Sequence, residues 1–201
     1  VPASIVVVVF FTQPGIDFEA FKTRFRLVAI PKKQWKWLPL AFVAIAVLSF
    51  ALEWTQPLIK DLLPQQPIVP ELFDDPYATV GEGNQEATFF GRPMEGNFWL
   101  IPFWIVWVVV IVTSEEILWR GYALPRMEAA YGSWAFLVNG LLWNLPFHTY
   151  TFWNVFTDMP MYLIIPFVAT KTKSTWGAIL LHVSLLMLAL VYLIPGVLGG
   201  Q

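Results

Sequence analysis

The chain of 201 residues is 57% hydrophobic and only 13% charged, and its mean hydropathy is +0.61. Soluble domains carry about 25% charged residues, so this composition indicates a polytopic membrane protein. The sequence contains no cysteine, which excludes disulfides, thiolate metal sites and cysteine nucleophiles. The net charge is −2, and we expect no nucleic acid among the partners of the protein.

The N-terminal part contains two predicted spans with a basic segment between them. Residues 1–12 are apolar and follow no basic region, so we interpret them as the end of an incomplete first span. The next segment interleaves aromatic and basic residues and is typical of an amphipathic helix lying on anionic lipid. A second span is predicted over 37–54, close to the ~20 residues that cross a bilayer. The basic residues of the interfacial segment are Lys22, Arg24, Arg26, Lys32, Lys33 and Lys36.

A long loop over 55–96, with six prolines and seven acidic residues, separates these spans from the C-terminal ones. Beyond it we predict a third span from Asn97 to the acidic pair at 115–116, a fourth over 134–153, a fifth over 159–170 and a last one over 176–194. The sequence therefore predicts an all-α, polytopic transmembrane bundle of about six spans. We divide this single membrane domain into an N-terminal part, 1–96, and core helices, 97–201. The acidic loop residues are Asp61, Glu71, Asp74, Asp75, Glu82, Glu86 and Glu95.

The distribution of positive charge predicts the orientation of the spans. Ten of the twelve lysine and arginine residues lie in the segments 13–36, 120–132 and 171–175, and the other two lie in the 55–96 loop. By the positive-inside rule the three basic segments are cytoplasmic and the acidic loop is external. The alternation of the predicted spans agrees with this assignment.

Two adjacent carboxylates, Glu115 and Glu116, follow the third predicted span directly, and Arg120 comes four residues after Glu116. Ionisable groups at membrane depth cost on the order of 2.5 kcal/mol or more each, so they usually face a cavity and have a chemical or transport role. Arg120 shares a helical face with Glu116 and can neutralise it. Glu115 points about 100° away around the helix, which leaves it available as a general base.

Both histidines of the chain, His148 and His182, lie within predicted spans. At 1.5 Å per residue, His182 is ~10 Å and His148 ~22 Å from the cytoplasmic ends of these spans. Glu115 reaches a comparable depth if its helix continues to about Arg126, with Pro125 as its terminator or kink. The sequence thus predicts that Glu115, His148 and His182 line one cavity, although a membrane histidine often serves only as an interhelical hydrogen-bond donor.

The acidic pair belongs to a pattern of two glutamates, three intervening residues and an arginine, here Glu115, Glu116 and Arg120. In this pattern and its hydrophobic context, the segment 114–186 resembles the CPBP family, the CAAX-protease and bacteriocin-processing (Abi) intramembrane glutamic endopeptidases. The resemblance implies that Glu116 and Arg120 are structural partners that hold the Glu115 helix in register. It also implies an integral protein of the prokaryotic cytoplasmic (inner) membrane.

The second and third motifs of that family are met in part. His148 matches the histidine of the second motif, but Asn144 occupies the aromatic position four residues before it, and Trp143 lies one residue too far away. His182 matches the third motif, but Leu186 stands where asparagine or a similar polar residue is expected. We expect Asn144 to be a further structural partner of the site.

The resemblance implies a peptidase that cleaves a peptide, or a prenylated or processed tail, at the cytoplasmic side. Glu115 with His148 would activate a water as the general base, and His182 would help to stabilise the oxyanion of the tetrahedral intermediate. Zinc is conceivable on ligand type, but the resemblance points to water activation by glutamate, so we expect neither a metal nor another cofactor. The expected partners are a peptide or protein substrate and the lipid bilayer.

Alternative functions remain open at this stage. Leu186 and the irregular second motif favour a catalytically degenerate, CPBP-like structural subunit of a larger membrane complex. Histidines within spans can also ligate haem or the magnesium of a chlorin, so a pigment-binding or haem-binding membrane subunit is a third hypothesis. A transporter is the remaining class.

Overall fold

The computed structural model describes residues 15, 17–59, 88–89, 92–147 and 152–199. This part of the chain is almost entirely helical, which confirms the predicted all-α membrane fold. The predicted first span and most of the acidic loop lie outside the described residues. In chain order the elements are α1 (Phe18–Arg24), a 3-10 turn (Lys32–Gln34), α2 (Trp37–Ile59), β1 (Thr88–Phe89), β2 (Arg92–Pro93), α3 (Leu100–Glu116), a π-helix (Ile117–Ala123), α4 (Leu124–Tyr131), a 3-10 turn (Gly132–Trp134), α5 (Ala135–Phe147), α6 (Phe152–Thr157), α7 (Met159–Thr172), α8 (Thr175–Leu186), a 3-10 turn (Met187–Ala189) and α9 (Leu190–Val197).

Within the part of the chain that the structure describes, three stretches are long and apolar enough to cross a membrane: Lys32–Glu53, Leu100–Leu145 and Thr175–Val197. They include most of the second, third, fourth and last predicted spans, and the chain is an integral membrane protein. Helix α7, at the place of the fifth predicted span, has only 14 residues, of which seven are buried. It is shorter than the ~20 residues of a typical span, and half of its residues are buried among the other helices of the bundle.

The two longest α-helices each bury a narrow stripe and expose the rest of their apolar surface. Helix α3 buries every fourth residue along its length and then both glutamates at its end. A helix that is apolar on all faces is typical of a membrane span, and the exposed side chains form a surface suited to lipid. The buried stripe of α3 comprises Leu100, Trp104, Val108 and Val112, and the exposed apolar residues on α2 and α3 include Leu40, Val43, Val47, Phe50, Val106, Val109 and Val110.

The sequence predicts that the helix carrying Glu115 continues to about Arg126, with Pro125 as its terminator or a kink, and in the structure this helix passes through Pro125. It widens into a π-helix over Ile117–Ala123 and continues as α4 to Tyr131. Proline lacks the N–H of a helical hydrogen bond, and its ring clashes with the carbonyl four residues earlier. The wider π turns fall directly before Pro125, where they make room for the ring, and such segments are frequent at functional sites.

A short hairpin of β1 and β2, which the sequence did not predict, closes one end of the bundle. Phe89 is buried in an apolar cluster with α3 and α9. The Gly96 N–H donates to the Val197 carbonyl at 3.0 Å, which ties the chain before α3 to the end of α9. The residues that follow the predicted external loop and the C-terminal end of α9 therefore lie at the same end.

The three predicted cytoplasmic segments meet at the opposite end. The Thr175 N–H donates to the Arg26 carbonyl at 2.8 Å, and the Thr175 hydroxyl donates to the Phe25 carbonyl at 2.7 Å. The Arg26 guanidinium lies 2.7 Å from the Glu128 carboxylate, and Lys173 Nζ lies 3.0 Å from the same carboxylate. We call Arg26, Glu128 and Lys173 the basic-end clip. It shows that the three segments share one end of the bundle, as the orientation prediction requires.

Glycine at position 140 allows α5 and α7 to approach closely. A Cβ added there would collide with the Tyr162 carbonyl oxygen, so a larger residue would force the two helices apart. The close approach brings Trp143, one turn further along α5, edge-on to the Tyr162 ring, with centroids 4.4 Å apart. This contact fixes the side chain that reaches towards the acidic pair.

Candidate active site

Glu116 lies at the centre of a buried group of charged and titratable side chains. Its Oε1 is 2.8 Å from His182 Nδ1 on α8, and its Oε2 is 3.1 Å from Arg120 Nε on the π-helix. Glu116 and Arg120 have no exposed surface, and His182 is 3% exposed. The pairing of Arg120 with Glu116 is the one that their four-residue spacing predicts. We call Glu116, Arg120 and His182 the buried cluster.

Glu115 is also buried, with 6% of its surface exposed. Its Oε1 accepts a hydrogen bond of 2.8 Å from the indole Nε1 of Trp143. The carboxylate is thus fixed by α5, whereas helix spacing alone suggested that it was left without a partner. The two glutamates therefore contact different helices, since Glu115 binds α5 and Glu116 binds α8.

Trp143 connects the buried cluster with Glu115. The face of its ring carries the Arg120 guanidinium, whose Cζ lies 3.6 Å from a ring centroid of the indole. Its ring also stands edge-on to His182, with centroids 5.2 Å apart. A cation over an aromatic face is worth about 2 kcal/mol or more when it is desolvated. Among the described residues the guanidinium completes no hydrogen bond of good geometry, so the ion pair with Glu116 and this stacking hold it in place.

Two buried asparagines tie α5 to its neighbours. The Asn139 amide donates to the Trp119 carbonyl at 3.1 Å and so connects α5 to the π-helix. The Asn144 amide nitrogen lies 3.4 Å from the Val155 carbonyl and 3.8 Å from Met159 Sδ. Asn144 therefore connects α5 to α6 and to the start of α7, a role that holds the helix carrying Trp143.

The structure brings together four of the residues that the sequence singled out. Glu115, Glu116, Arg120 and His182 come from the end of α3, the π-helix and α8, and all four are buried. His148 lies outside the described residues, directly after the end of α5. Its approach to Glu115 therefore stays a prediction.

The described residues were compared with the ligand sets that hold metal ions in proteins. Within the described ranges, no group of three or more histidine, aspartate and glutamate side chains is arranged to hold one. This statement does not include His148, which lies outside the described residues.

Residues 97–188, from just before α3 to just beyond α8, match the family model described as type II CAAX prenyl endopeptidase Rce1-like. This segment belongs to the CPBP family of membrane peptidases. The match confirms the resemblance that the acidic motif indicates, and at family level it supports a CAAX-type intramembrane peptidase with a peptide or protein substrate. No curated protein and no solved structure gives a significant match to the chain.

Within this CPBP segment, Trp143 is the residue whose position in the site the sequence did not reveal. The second motif of the family expects an aromatic residue four positions before His148, and Trp143 lies five positions before it. An aromatic residue displaced by one position from the motif was therefore the available sequence signal. In the structure, α5 does bring the ring of this residue to the acidic pair. Tyr162, which supports that ring, belongs to no motif and could not be distinguished in a chain that is 17% aromatic.

Proposed function

We propose that the protein is an intramembrane peptidase in which Glu115, together with His148, activates a water against a peptide or a prenylated tail. The observation that supports this most directly is the buried Glu115 beside a neighbouring carboxylate that is already paired with Arg120 and His182. Burying this many ionisable groups in a membrane protein is expensive, which favours a chemical role. The arrangement neutralises one carboxylate and fixes the direction of the other.

In the proposed reaction, Glu115 takes a proton from the water while the water oxygen attacks the carbonyl carbon of the scissile bond. The negative charge of the tetrahedral intermediate resides on the former carbonyl oxygen, and we assign His182 as a donor to this oxyanion. Cleavage of the C–N bond follows. The proton held by Glu115 then passes to the leaving amine, which restores the carboxylate.

Glu116 would orient His182 for this task. A carboxylate that binds one ring nitrogen of a histidine fixes both the ring direction and the tautomer. Since Nδ1 lies 2.8 Å from Glu116, we assign Nε2 to the substrate side. An imidazolium donates from both nitrogens, so one ring can bind Glu116 and the oxyanion together.

We further propose that the basic end of the bundle faces the cytoplasm, in a prokaryotic cytoplasmic membrane. The ten-to-two distribution of lysine and arginine supports this orientation. The basic-end clip supports it as well, because it joins the three basic segments. A substrate tail would then approach the site from the cytoplasmic side.

The substitution Glu115→Gln tests the proposed base. It should reduce cleavage of a farnesylated peptide by the purified protein in nanodiscs about 10²–10⁴-fold, because an amide cannot accept the proton of the water. Glu95→Gln is the matched control, since it makes the same change at an exposed carboxylate near the hairpin end. Cleavage that survives Glu115→Gln at the wild-type rate would contradict the proposal.

Leu186 favours a second candidate, a catalytically degenerate subunit of a larger membrane complex. It stands where a CPBP peptidase is expected to carry asparagine, and it packs against the apolar cluster of α3, α9 and the hairpin. A protein with this role would cleave nothing, and Glu115→Gln would leave its assembly with partner subunits unchanged. Native mass spectrometry of the complex purified from the host membrane would detect such subunits.

A further inference from the structure

Trp143 lies between the two adjacent glutamates and has no part in the chemical steps described above. We propose that Trp143 is a positioning residue that separates the roles of Glu115 and Glu116. Its indole N–H holds the Glu115 carboxylate, and the face of its ring carries Arg120 and keeps this cation on Glu116. The inference rests on the proposed role of Glu115 as the general base.

Two adjacent carboxylates can both attract one nearby arginine, so a further residue is needed to keep the arginine on one of them. In an α-helix Arg120 shares a face with the residue four positions before it, which is Glu116. The turns from Ile117 onwards are π-helical, and in that geometry the residue five positions away is the hydrogen-bonded one. Wider turns therefore bring Arg120 towards the side of Glu115 as well. An arginine bound to Glu115 would neutralise the base that the reaction requires.

The indole binds the carboxylate and the cation through different parts of its ring. Its N–H lies in the plane of the ring and can only donate, so it binds Glu115 Oε1 and cannot serve a guanidinium. The negative face of the ring attracts the cation, and Arg120 Cζ lies 3.6 Å from its centroid. Because one rigid ring makes both contacts, the direction of Glu115 and the position of Arg120 are set together.

The surroundings of Trp143 hold this ring in a single orientation. The residue is completely buried on α5. Tyr162 packs against it with centroids 4.4 Å apart and an interplanar angle of 78°, and His182 packs at 5.2 Å and 74°. The ring is thus confined from α7 and from α8, and its N–H is directed at α3. A ring confined in this way can position a carboxylate with little freedom to turn.

The substitution Trp143→Phe separates the two contacts, because phenylalanine keeps an aromatic face for Arg120 but has no N–H. We expect kcat for a farnesylated peptide to fall on the order of tenfold while KM stays unchanged, since a hydrogen bond to a charged group is lost and peptide binding is not touched. Trp143→Leu, which removes both contacts, should reduce kcat further. Trp104→Phe is the matched control, because Trp104 is also buried, at 2% exposure, but lies in the apolar cluster of α3 and α9. It should leave kcat unchanged.

A spectroscopic measurement tests the hydrogen bond without reference to activity. In protein labelled with ¹⁵N-tryptophan, the indole N–H resonance of Trp143 is identified by its loss in Trp143→Phe. This resonance should move in Glu115→Gln and stay in place in Glu95→Gln. An unchanged resonance in Glu115→Gln would overturn the proposed contact.

The kinetic outcomes distinguish failure of the inference from failure of the proposed function. If Glu115→Gln abolishes cleavage but Trp143→Phe does not reduce kcat, the positioning role alone is overturned. Equal losses of kcat in Trp143→Phe and Trp104→Phe would also overturn it, since they would reflect general loss of structure. Full cleavage by Glu115→Gln would overturn the proposed function itself, and the positioning role with it.

Discussion

The described part of the bundle contains two groups of one glutamate and two basic side chains, which differ in burial. In the buried cluster the glutamate has no exposed surface, and its partners are 0% and 4% exposed at their side chains. In the basic-end clip the Glu128 side chain is 13% exposed, while Arg26 is 23% and Lys173 60% exposed. The residue types are nearly the same, and the surroundings differ.

The difference in exposure determines how much each ion pair contributes to the stability of the protein. An exposed pair contributes about 0.2–1 kcal/mol to stability, because water and salt screen it. Removal of one partner from a buried pair costs about 3–5 kcal/mol, because the other charge is left without compensation. A buried pair is therefore a poor way to gain stability, which favours a chemical role for the buried cluster. The basic-end clip connects three segments of the chain.

The largest difference between the two groups is expected in the free energy of unfolding, when the glutamate of each group is replaced by glutamine. Glu116→Gln leaves Arg120 buried without a full counter-charge and should lower the free energy of unfolding by about 3–5 kcal/mol. Glu128→Gln should lower it by less, by about 1 kcal/mol, because Arg26 and Lys173 are partly exposed to water. Unfolding of the two purified variants in mixed micelles measures both values. Equal losses would mean that burial does not distinguish the two groups.

A double substitution separates the contribution of the Glu116–Arg120 pair to stability from its contribution to cleavage. Glu116→Leu combined with Arg120→Met replaces the ion pair by apolar side chains of similar size and should recover most of the lost stability. Cleavage should remain low, because His182 has lost the carboxylate that orients it. A double variant as active as the wild type would show that the pair has no chemical role.

A smaller effect is expected at Leu186, one turn after His182. Leu186→Asn should raise kcat on the order of tenfold, because it supplies a second donor near the oxyanion. The change also places a polar group beside the apolar cluster of α3 and α9, which should lower the free energy of unfolding by about 1 kcal/mol or more. Parallel measurements of kcat and unfolding test both effects, with Leu186→Met as the control of similar volume. A loss of stability without any gain in kcat would favour the degenerate-subunit alternative.

The smallest predicted effect is the response of the two groups to salt. The screening length falls from ~10 Å at 0.1 M to ~3 Å at 1 M ionic strength, and exposed pairs are screened most. The stability difference between wild type and Glu128→Gln should therefore become smaller at 1 M salt, mainly because salt screens the exposed Lys173. The difference for Glu116→Gln should persist, and its disappearance would show that salt reaches the buried cluster.

The sequence was sufficient to predict features that depend on a single helix. The apolar stretches predict where α2, α3, α5 and α8 lie, because each must present an apolar surface to lipid. The pairing of Glu116 with Arg120 follows from their spacing, since residues four apart share a helical face. The basic segments likewise predict which parts of the chain share one end of the bundle.

Features that depend on the rotation of one helix against another were not predictable from spacing. The cavity predicted for Glu115, His148 and His182 stays a prediction, and spacing did not reveal that His182 binds Glu116, because the rotation of α8 about its axis is set by packing against α3 and α7. The bond from Trp143 to Glu115 depends on the rotation of α5 in the same way. The π-helix was missed because a proline in a helical pattern usually marks a stop, whereas here the preceding turns widen and the helix continues.

Mass spectrometry of the reaction products tests whether the buried Glu115 is the base of a peptidase. Wild-type protein in nanodiscs is incubated with a farnesylated peptide, beside Glu115→Gln and Glu95→Gln at equal concentration. We expect a peptide cut after its lipidated residue with wild type and Glu95→Gln, and intact peptide with Glu115→Gln. Intact peptide with the folded wild type, or equal cleavage by all three proteins, would contradict this role of Glu115.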